Sequence, residues 1–166
     1  MFFPNKDYTI PTSSNYMRLV EGKNKFRVLS SAIVGWEYWT TQDKPIRQQE
    51  PFEDMPEDIK HDKDGRVSIK HFWAFVVWNY QEKKVQILEL TQKSIMNAIK
   101  SYVDEESWGD PKSYDIVITR SGSGFDTEYQ TIANPHTSPP AEAVEEYEKK
   151  TINLNALFNG ADPFAA

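Results

Sequence analysis

Few kinds of side chain here could carry out chemistry, because the chain has no cysteine and only three histidines among its 166 residues. Without thiolates, a metal ion would have to be held by histidines and carboxylates. The run from Asp62 to Gly65 imitates part of a calcium loop. However, the first ligand position of that loop would be Lys60, and the last would be His71 instead of glutamate. We therefore predict no metal site and no cofactor.

Sequence motifs of catalysis are missing as well. The chain has no recognisable serine, histidine and aspartate order, and no Gly-Lys-Ser/Thr that would mark a phosphate-binding loop. A nuclease would need several carboxylates that converge on Mg²⁺ beside a lysine. The 25 acidic residues lie mostly in loops and in the late part of the chain. We predict a binding protein that is not an enzyme.

Charge is distributed unevenly along the chain. The net charge of -6 argues, taken alone, against a polyanionic partner, because phosphate binding depends on local positive charge and counterion release. Residues 16–47, however, carry six basic side chains against three acidic ones, whereas residues from 103 onward carry four against twelve. The early stretch, which contains Lys25, Arg27 and Arg47, is therefore the basic part of the chain.

Aromatic residues cluster near the end of this basic stretch, in Gly-Trp-Glu-Tyr-Trp at positions 35–39. Alternation along a strand places Trp36 and Tyr38 on one side and Trp39 on the other. Exposed rings can hold unpaired nucleic acid bases, and each stacked base contributes about 1–3 kcal/mol. At most one of the two sets is expected to face a nucleic acid. The alternative is that all three rings belong to the core.

The second candidate surface is the stretch RVSIKHFWAFVVW, whose alternation separates two faces. We predict that Arg66, Lys70 and Phe72 point outward and bind nucleic acid. The alternative is an ordinary solvated face with one isolated phenylalanine. The opposite face is expected to be core and consists of Val67, Ile69, His71, Trp73 and Phe75.

The third candidate is a hairpin from Arg120 to Tyr129 with Ser-Gly-Ser-Gly at its turn. Two glycines in four residues let the backbone come close to a ligand. Arg120 and Tyr129 flank the turn as a charge and a stacking ring. The alternative is a plain hairpin turn, and the glycines alone do not distinguish the two.

Periodicity predicts the strands and the helix that position these candidates. β-Branched and aromatic residues over 24–40 predict one long strand, kinked at Gly35. A loop over 45–65 follows, and then an antiparallel hairpin over 66–79 and 84–91. A second hairpin is predicted over 114–120 and 125–133. Between the hairpins, one helix face is predicted from Ile95, Met96, Ile99, Tyr102 and Val103.

This order predicts a mainly β protein, a five-stranded OB-fold barrel with a helix between strands 3 and 4. The rival is an SH3-like barrel, which normally lacks a long helix at that position. We predict an N-terminal arm at 1–15, the OB-fold domain at 16–138, and a C-terminal helical and flexible tail at 139–166. With no apolar run long enough for a membrane span and no signal-peptide pattern, we expect a cytoplasmic protein without membrane contact.

The stretch FRVLSSAIVGWEYW and the hairpin YDIVITRSGSGFDTEY, followed by NPHTSP, resemble the single-stranded DNA-binding proteins of tailed bacteriophages. Those are OB-fold proteins distantly similar to the T4-type helix-destabilising protein, whose structural zinc this chain cannot share because it lacks cysteine. The resemblance covers residues 16 to 140. It implies binding of single-stranded DNA in replication, recombination and repair. It also implies DNA-binding roles for Arg27, Arg47, Lys70, Arg120 and Tyr129.

The resemblance also gives a meaning to the C-terminal segment, since related binders often end in acidic tails tipped by an aromatic residue. Asp162 and Phe164 look similar to such a tip, and the tail would then bind replication or recombination proteins. The alternative is a terminal helix packed on the barrel or on a second copy of the chain. For the whole protein, the alternative function is an OB-fold protein-protein interaction module of a replication or recombination complex.

Overall fold

β-Strands form most of the regular structure in the computed structural model, which describes residues 2–3, 6 and 14–165. The strands are β1 (Gly22–Val28), β2 (Ile33–Trp39), β3 (Pro45–Gln48), β4 (Lys70–Asn79), β5 (Lys84–Leu90), β6 (Asp115–Ser121) and β7 (Glu128–Ala133). The helices are α1 (Lys93–Asp104) and α2 (Ala141–Lys149), with 3-10 turns at Pro111–Ser113, Gly124–Asp126 and Leu154–Asn159. The mainly β prediction, both hairpins and the helix between them are confirmed.

Strand β4 lies at the centre of an open antiparallel sheet. One edge of β4 pairs with β5, while the other edge is shared by β2 along its first half and β1 along its last three residues. β3 extends the sheet beyond β2, and β6 and β7 extend it beyond β1. Within the described residues no ladder joins β7 to β3 or β5. The prediction of a five-stranded OB-fold barrel is therefore wrong, since the sheet of the described residues has seven strands and stays open.

The long strand predicted over 24–40 is two strands, and the break lies at 29–32 instead of Gly35. At the break, the backbone N–H of Val76 in β4 donates to Ser30 Oγ at 2.8 Å. The serine hydroxyl thus replaces a strand carbonyl, so the chain can turn without leaving this amide unpaired. Gly35 stays inside β2, where a Cβ atom would lie only 2.5 Å from the Gln48 carbonyl oxygen.

Helix α1 covers one side of the sheet, which we call the helix face. Ile95, Met96 and Ile99 are its buried side chains, and they follow the predicted apolar spacing. They complete the main hydrophobic core with strand residues Phe26, Val28, Phe75, Val77, Leu88, Leu90, Ile116 and Ile118.

The C-terminal segment 141–165 covers the other side of the sheet, which we call the tail face. Helix α2 packs on the part formed by Val76, Trp78 and Val85. The turn Leu154–Asn159 packs on the part formed by Phe72, Ala74 and Ile87. The C-terminal helix is therefore present as expected, and the end expected to be flexible packs on the sheet.

Among residues 2–3, 6 and 14–165, no helix is long and apolar enough to cross a membrane. The same residues contain no cluster of three or more histidines and carboxylates that could hold a metal ion. The division into arm, domain and tail stays a prediction. Most of the predicted arm, namely residues 1, 4–5 and 7–13, lies outside the described residues.

Candidate nucleic-acid interface

A groove opens on the helix face where α1 no longer covers the sheet. This stacking groove, as we call it, has a volume of about 640 Å³ and lies between the β2–β4 pair and the first turns of α1. It is lined by Trp36, Ile69, Lys70, His71, Trp73, Thr91, Lys93, Met96, Asn97 and Lys100.

The floor of the stacking groove is aromatic. Trp36 in β2 pairs with His71 in β4, and the next pair on the same face joins Val34 to Trp73. Paired residues of an antiparallel ladder project to the same side, so the three rings lie on one face. The ring centroids of Trp36 and His71 lie 4.8 Å apart, and all three rings are half-buried. Such a floor offers flat apolar faces for stacking.

The wall of the stacking groove is basic. Lys93 and Lys100 lie seven residues apart in α1, which places them two turns apart on one side of the helix. Lys70 is the first residue of β4. Lys70 and Lys93 form no ion pair with the described residues, whereas Lys100 pairs with Asp104. None of the described residues that line the groove carries a carboxylate, so the local charge is positive.

One polar atom in the floor has no partner. His71 Nδ1 is buried and forms no hydrogen bond within the described part of the chain. An unsatisfied buried polar group costs about 1–3 kcal/mol. The unpaired atom is therefore a local cost of placing His71 in the floor, where its ring is half-buried.

Beyond Trp73 the groove continues into an apolar extension of about 420 Å³. Trp73 and Lys100 line both cavities. Val34 and Val103, which are exposed large apolar side chains, line the extension. The carboxylate of Asp104 also lies along it, so the extension suits phosphate groups less well than the stacking groove does.

Arg66 and Lys70, both predicted from the sequence, line a separate cavity of about 330 Å³. We call it the edge pocket, because it lies beside the first residue of β4. Trp39 contributes a ring that is 47% exposed. The remaining lining residues are Glu37, Tyr38, Lys60, His61, Asp62, Ser68 and Thr91.

Arg27, predicted to bind DNA, is fully buried. Its Nε donates to Asp115 Oδ1 at 2.7 Å, and its Nη atoms donate to the carbonyl oxygens of Lys112 and Thr137. The expectation of an accessible Arg27 is therefore wrong, because the guanidinium is used inside the fold. Lys25 is partly exposed, and its Nζ lies 3.8 Å from Asp115 Oδ2. Lys25 does not line the stacking groove.

Arg47 is also used within the fold, and its side chain is 9% exposed. Its Nε donates to Glu37 Oε2 at 3.0 Å, and its Nη2 donates to Glu89 Oε2 at 2.9 Å. Burial, with the hydrogen bond and the charge of Glu89, raises the pKa of Glu37 to about 8 against the opposing effect of Arg47. This cluster ties β2, β3 and β5 together and leaves little of Arg47 for a phosphate.

Two of the predicted stacking rings are inaccessible. Phe72 is fully buried on the tail face, with its ring centroid 6.1 Å from that of Phe158, so the expectation that it points outward is wrong. Tyr38 is 7% exposed and packs edge-on against Phe52. The Tyr38 hydroxyl donates to Asp58 Oδ1 at 2.9 Å, and burial followed by the Asp58 carboxylate raises the pKa of Tyr38.

The third predicted site lies apart from the stacking groove. Arg120 and Tyr129 are paired across β6 and β7, and neither residue lines the groove. Arg120 Nη1 donates to the Leu19 carbonyl oxygen at 3.1 Å, while its Nε is buried without a partner among the described residues. Tyr129 packs at the margin of the main core, and Phe125 at the turn is fully exposed. The DNA-binding roles of Arg120 and Tyr129 stay predictions.

The C-terminal tip packs against the chain. Asp162 Oδ1 accepts a hydrogen bond from the Phe164 N–H at 2.9 Å, and the Pro163 carbonyl accepts one from the Asn153 N–H at 2.8 Å. Phe164 is half-buried against the tail-face core, and Lys150 Nζ lies 5.9 Å from its ring centroid. The expected role of Asp162 and Phe164 in binding partner proteins stays a prediction.

Among the ring-bearing and basic residues of the groove, four were not predicted from the sequence as binding residues: His71, Trp73, Lys93 and Lys100. Alternation assigns His71 and Trp73 to the core, and they do lie on the core side of β4, but beyond the cover of α1. The signal in the sequence that could have identified the wall is the seven-residue spacing of Lys93 and Lys100. This spacing places both lysines on one side of the helix that directly follows the aromatic hairpin in the chain.

Comparison with known proteins gives one informative match. No family model matches the chain, and no solved structure matches it significantly. The chain is 28% identical over 137 residues to a protein of Escherichia phage T5 whose name is "Probable ssDNA-binding protein". The match covers 69% of this chain and 52% of the phage protein, so the chain spans about half the length of that relative.

Proposed function

We propose that the chain binds single-stranded DNA in the stacking groove, without strong sequence preference, and does no chemistry on it. One observation carries the proposal. In a protein with a net charge of -6, the stacking groove combines three rings with three lysines, two of which have no ion-pair partner among the described residues, and no described carboxylate lines it. Because a polyanion needs local positive charge, this groove is where a nucleic acid fits best.

The aromatic floor favours single strands over duplexes. In a duplex the base faces are stacked on one another, whereas an unpaired base can lie flat on Trp36, His71 or Trp73. Every base has such a face, so stacking alone discriminates little between sequences. The lysines of the wall then lie beside the floor, where they can contact the phosphates that link the stacked bases.

This binding mode suits a protein that holds and protects single-stranded DNA during replication, recombination and repair, and we propose that role. The similarity to the phage T5 protein named a probable ssDNA-binding protein supports the binding of single-stranded DNA on which this proposed role depends. Binding of this kind requires no catalytic group. An intracellular location would follow from a role on phage or host DNA.

A second candidate function is a protein-protein interaction module of a replication or recombination complex. The apolar extension favours it, because exposed apolar patches rimmed by polar residues often bind proteins. Val34 is 51% exposed there. Titration with an oligonucleotide separates the two functions, since a pure protein-binding module would not bind DNA.

Titration with oligo-dT tests the proposal. Binding should quench the fluorescence of Trp36 and Trp73, and the affinity should fall as the salt concentration rises. Trp36→Ala should weaken binding by about 1–3 kcal/mol, which is about 5- to 150-fold. Trp108→Phe is the matched control, because it removes a tryptophan that does not line the groove. No quenching at low salt, or native affinity in Trp36→Ala, would contradict the proposal.

A further inference from the structure

The side chains of Trp36 and Trp39 project to opposite faces of the sheet. Trp36 and Trp39 are three residues apart in β2, and successive side chains of a strand alternate between faces. Trp36 lines the stacking groove and Trp39 lines the edge pocket. The tail face is covered at Phe72 by the C-terminal segment, but Trp39 stays 47% exposed.

The two cavities meet at the end of the sheet. Lys70 and Thr91 line both of them, one at the start of β4 and the other directly after β5. The Lys70 side chain is exposed and forms no ion pair or hydrogen bond with the described residues. An unpaired ammonium group therefore stands at the junction of the groove and the pocket.

The edge pocket has the chemistry of a nucleotide site. Trp39 offers a stacking ring, and the exposed Arg66 guanidinium has no partner among the described residues. Two carboxylates line the pocket, and both are engaged. Glu37 accepts a hydrogen bond from Arg47, and Asp62 Oδ1 accepts from the backbone N–H groups of Asp64 and Arg66.

We propose that single-stranded DNA leaving the stacking groove passes over Lys70, around the end of β4, and enters the edge pocket. There Trp39 stacks on a base and Arg66 contacts a phosphate. The inference rests on the proposed function and extends its site. Trp36 on one face of the sheet and Trp39 on the other then bind the same DNA strand.

Oligonucleotides of different length distinguish binding in the stacking groove from binding in the edge pocket. Oligo-dT of about four nucleotides should bind within the stacking groove, and oligo-dT of about twelve should reach the edge pocket as well. Trp39→Ala should weaken binding of the longer oligonucleotide about fivefold or more and leave the shorter one unchanged. Trp36→Ala should weaken binding of both.

Arg66→Ala provides a second variant that does not depend on the tryptophan, with Lys149→Ala on α2 as its charge-matched control. Arg66→Ala should weaken binding of the longer oligonucleotide only, and Lys149→Ala should weaken binding of neither oligonucleotide. Native affinity of both Trp39→Ala and Arg66→Ala for the longer oligonucleotide would overturn the inference while the proposed function stands. A native protein that binds neither length would instead contradict the proposed function.

Discussion

Both faces of β4 carry aromatic side chains, but the two faces differ in the elements that pack over them. On the helix face, His71 and Trp73 lie beyond the cover of α1 and form the floor of a groove. On the tail face, Phe72 alternates with them but is fully buried by the C-terminal segment. Whether an aromatic ring can bind a base therefore depends on the element that packs over it, not on the ring.

The same contrast holds for the basic side chains. Arg27 forms a buried ion pair with Asp115, and Arg47 forms an ion pair with Glu89 and a hydrogen bond to Glu37. Lys70 and Lys93, at the stacking groove, have no ion-pair partner among the described residues. A cation is best placed to bind a phosphate where the fold leaves its charge uncompensated.

The largest effect is expected from Arg27→Ala. It leaves the Asp115 carboxylate buried without its main partner, and breaking a buried pair in this way costs about 3–5 kcal/mol of stability. Urea unfolding measures the loss. If Arg27 has a structural role only, the fraction that stays folded should bind oligo-dT with native affinity. A native stability together with weakened DNA binding would restore Arg27 to the interface.

Leu157→Ala tests the cover of the tail face. Leu157 is 3% exposed against Phe72, Ala74 and Ile87, and its truncation should cost about 2–5 kcal/mol of unfolding free energy. Asn155→Ala, an exposed position in the same turn, should leave stability near native. If the two variants unfold at the same urea concentration, the C-terminal segment does not stabilise the sheet in solution.

The Glu37 cluster predicts a pH dependence of stability. The pKa of Glu37 is about 8 in the folded protein and near 4.5 when unfolded, so the folded state binds more protons between these values. Stability should therefore fall as the pH rises from about 4.5 to about 8. Glu37→Gln should flatten this part of the profile, measured by thermal unfolding. An equally steep profile in Glu37→Gln would place the titrating group elsewhere.

The smallest effect is expected from Lys93→Ala in the groove wall. Loss of one phosphate contact should weaken oligo-dT binding a few-fold and reduce the slope of log K against log salt by about 0.7. Lys149→Ala removes an exposed lysine of α2 and should change neither quantity. An unchanged slope in Lys93→Ala would mean that α1 does not form the wall of the DNA site.

The elements were largely predictable, because local periodicity determines them. Both hairpins and α1 follow from alternation and from the helical spacing of Ile95, Met96 and Ile99. The break between β1 and β2 did not follow from local sequence. At this break the Val76 N–H donates a hydrogen bond to Ser30 Oγ, a contact between residues 46 apart in the chain.

The candidate site was predictable only in part, for a similar reason. Trp36, Arg66 and Lys70 were identified as binding residues and line the two cavities. Trp73 was assigned to the core, because alternation identifies the residues that share a face but not the point at which α1 stops covering it. Lys25 and Arg27 belong to the basic stretch but lie outside both cavities.

The sequence by itself determined the strands, the helix and the two alternating faces of β4, since these depend on side chains close together in the chain. Only the tertiary structure decided which face is covered. Phe72 lies more than 80 residues before the Leu157 and Phe158 side chains that bury it. Burial and ion pairing depend on such distant contacts. These contacts therefore decide which aromatic and basic side chains are used inside the fold and which stay accessible to DNA.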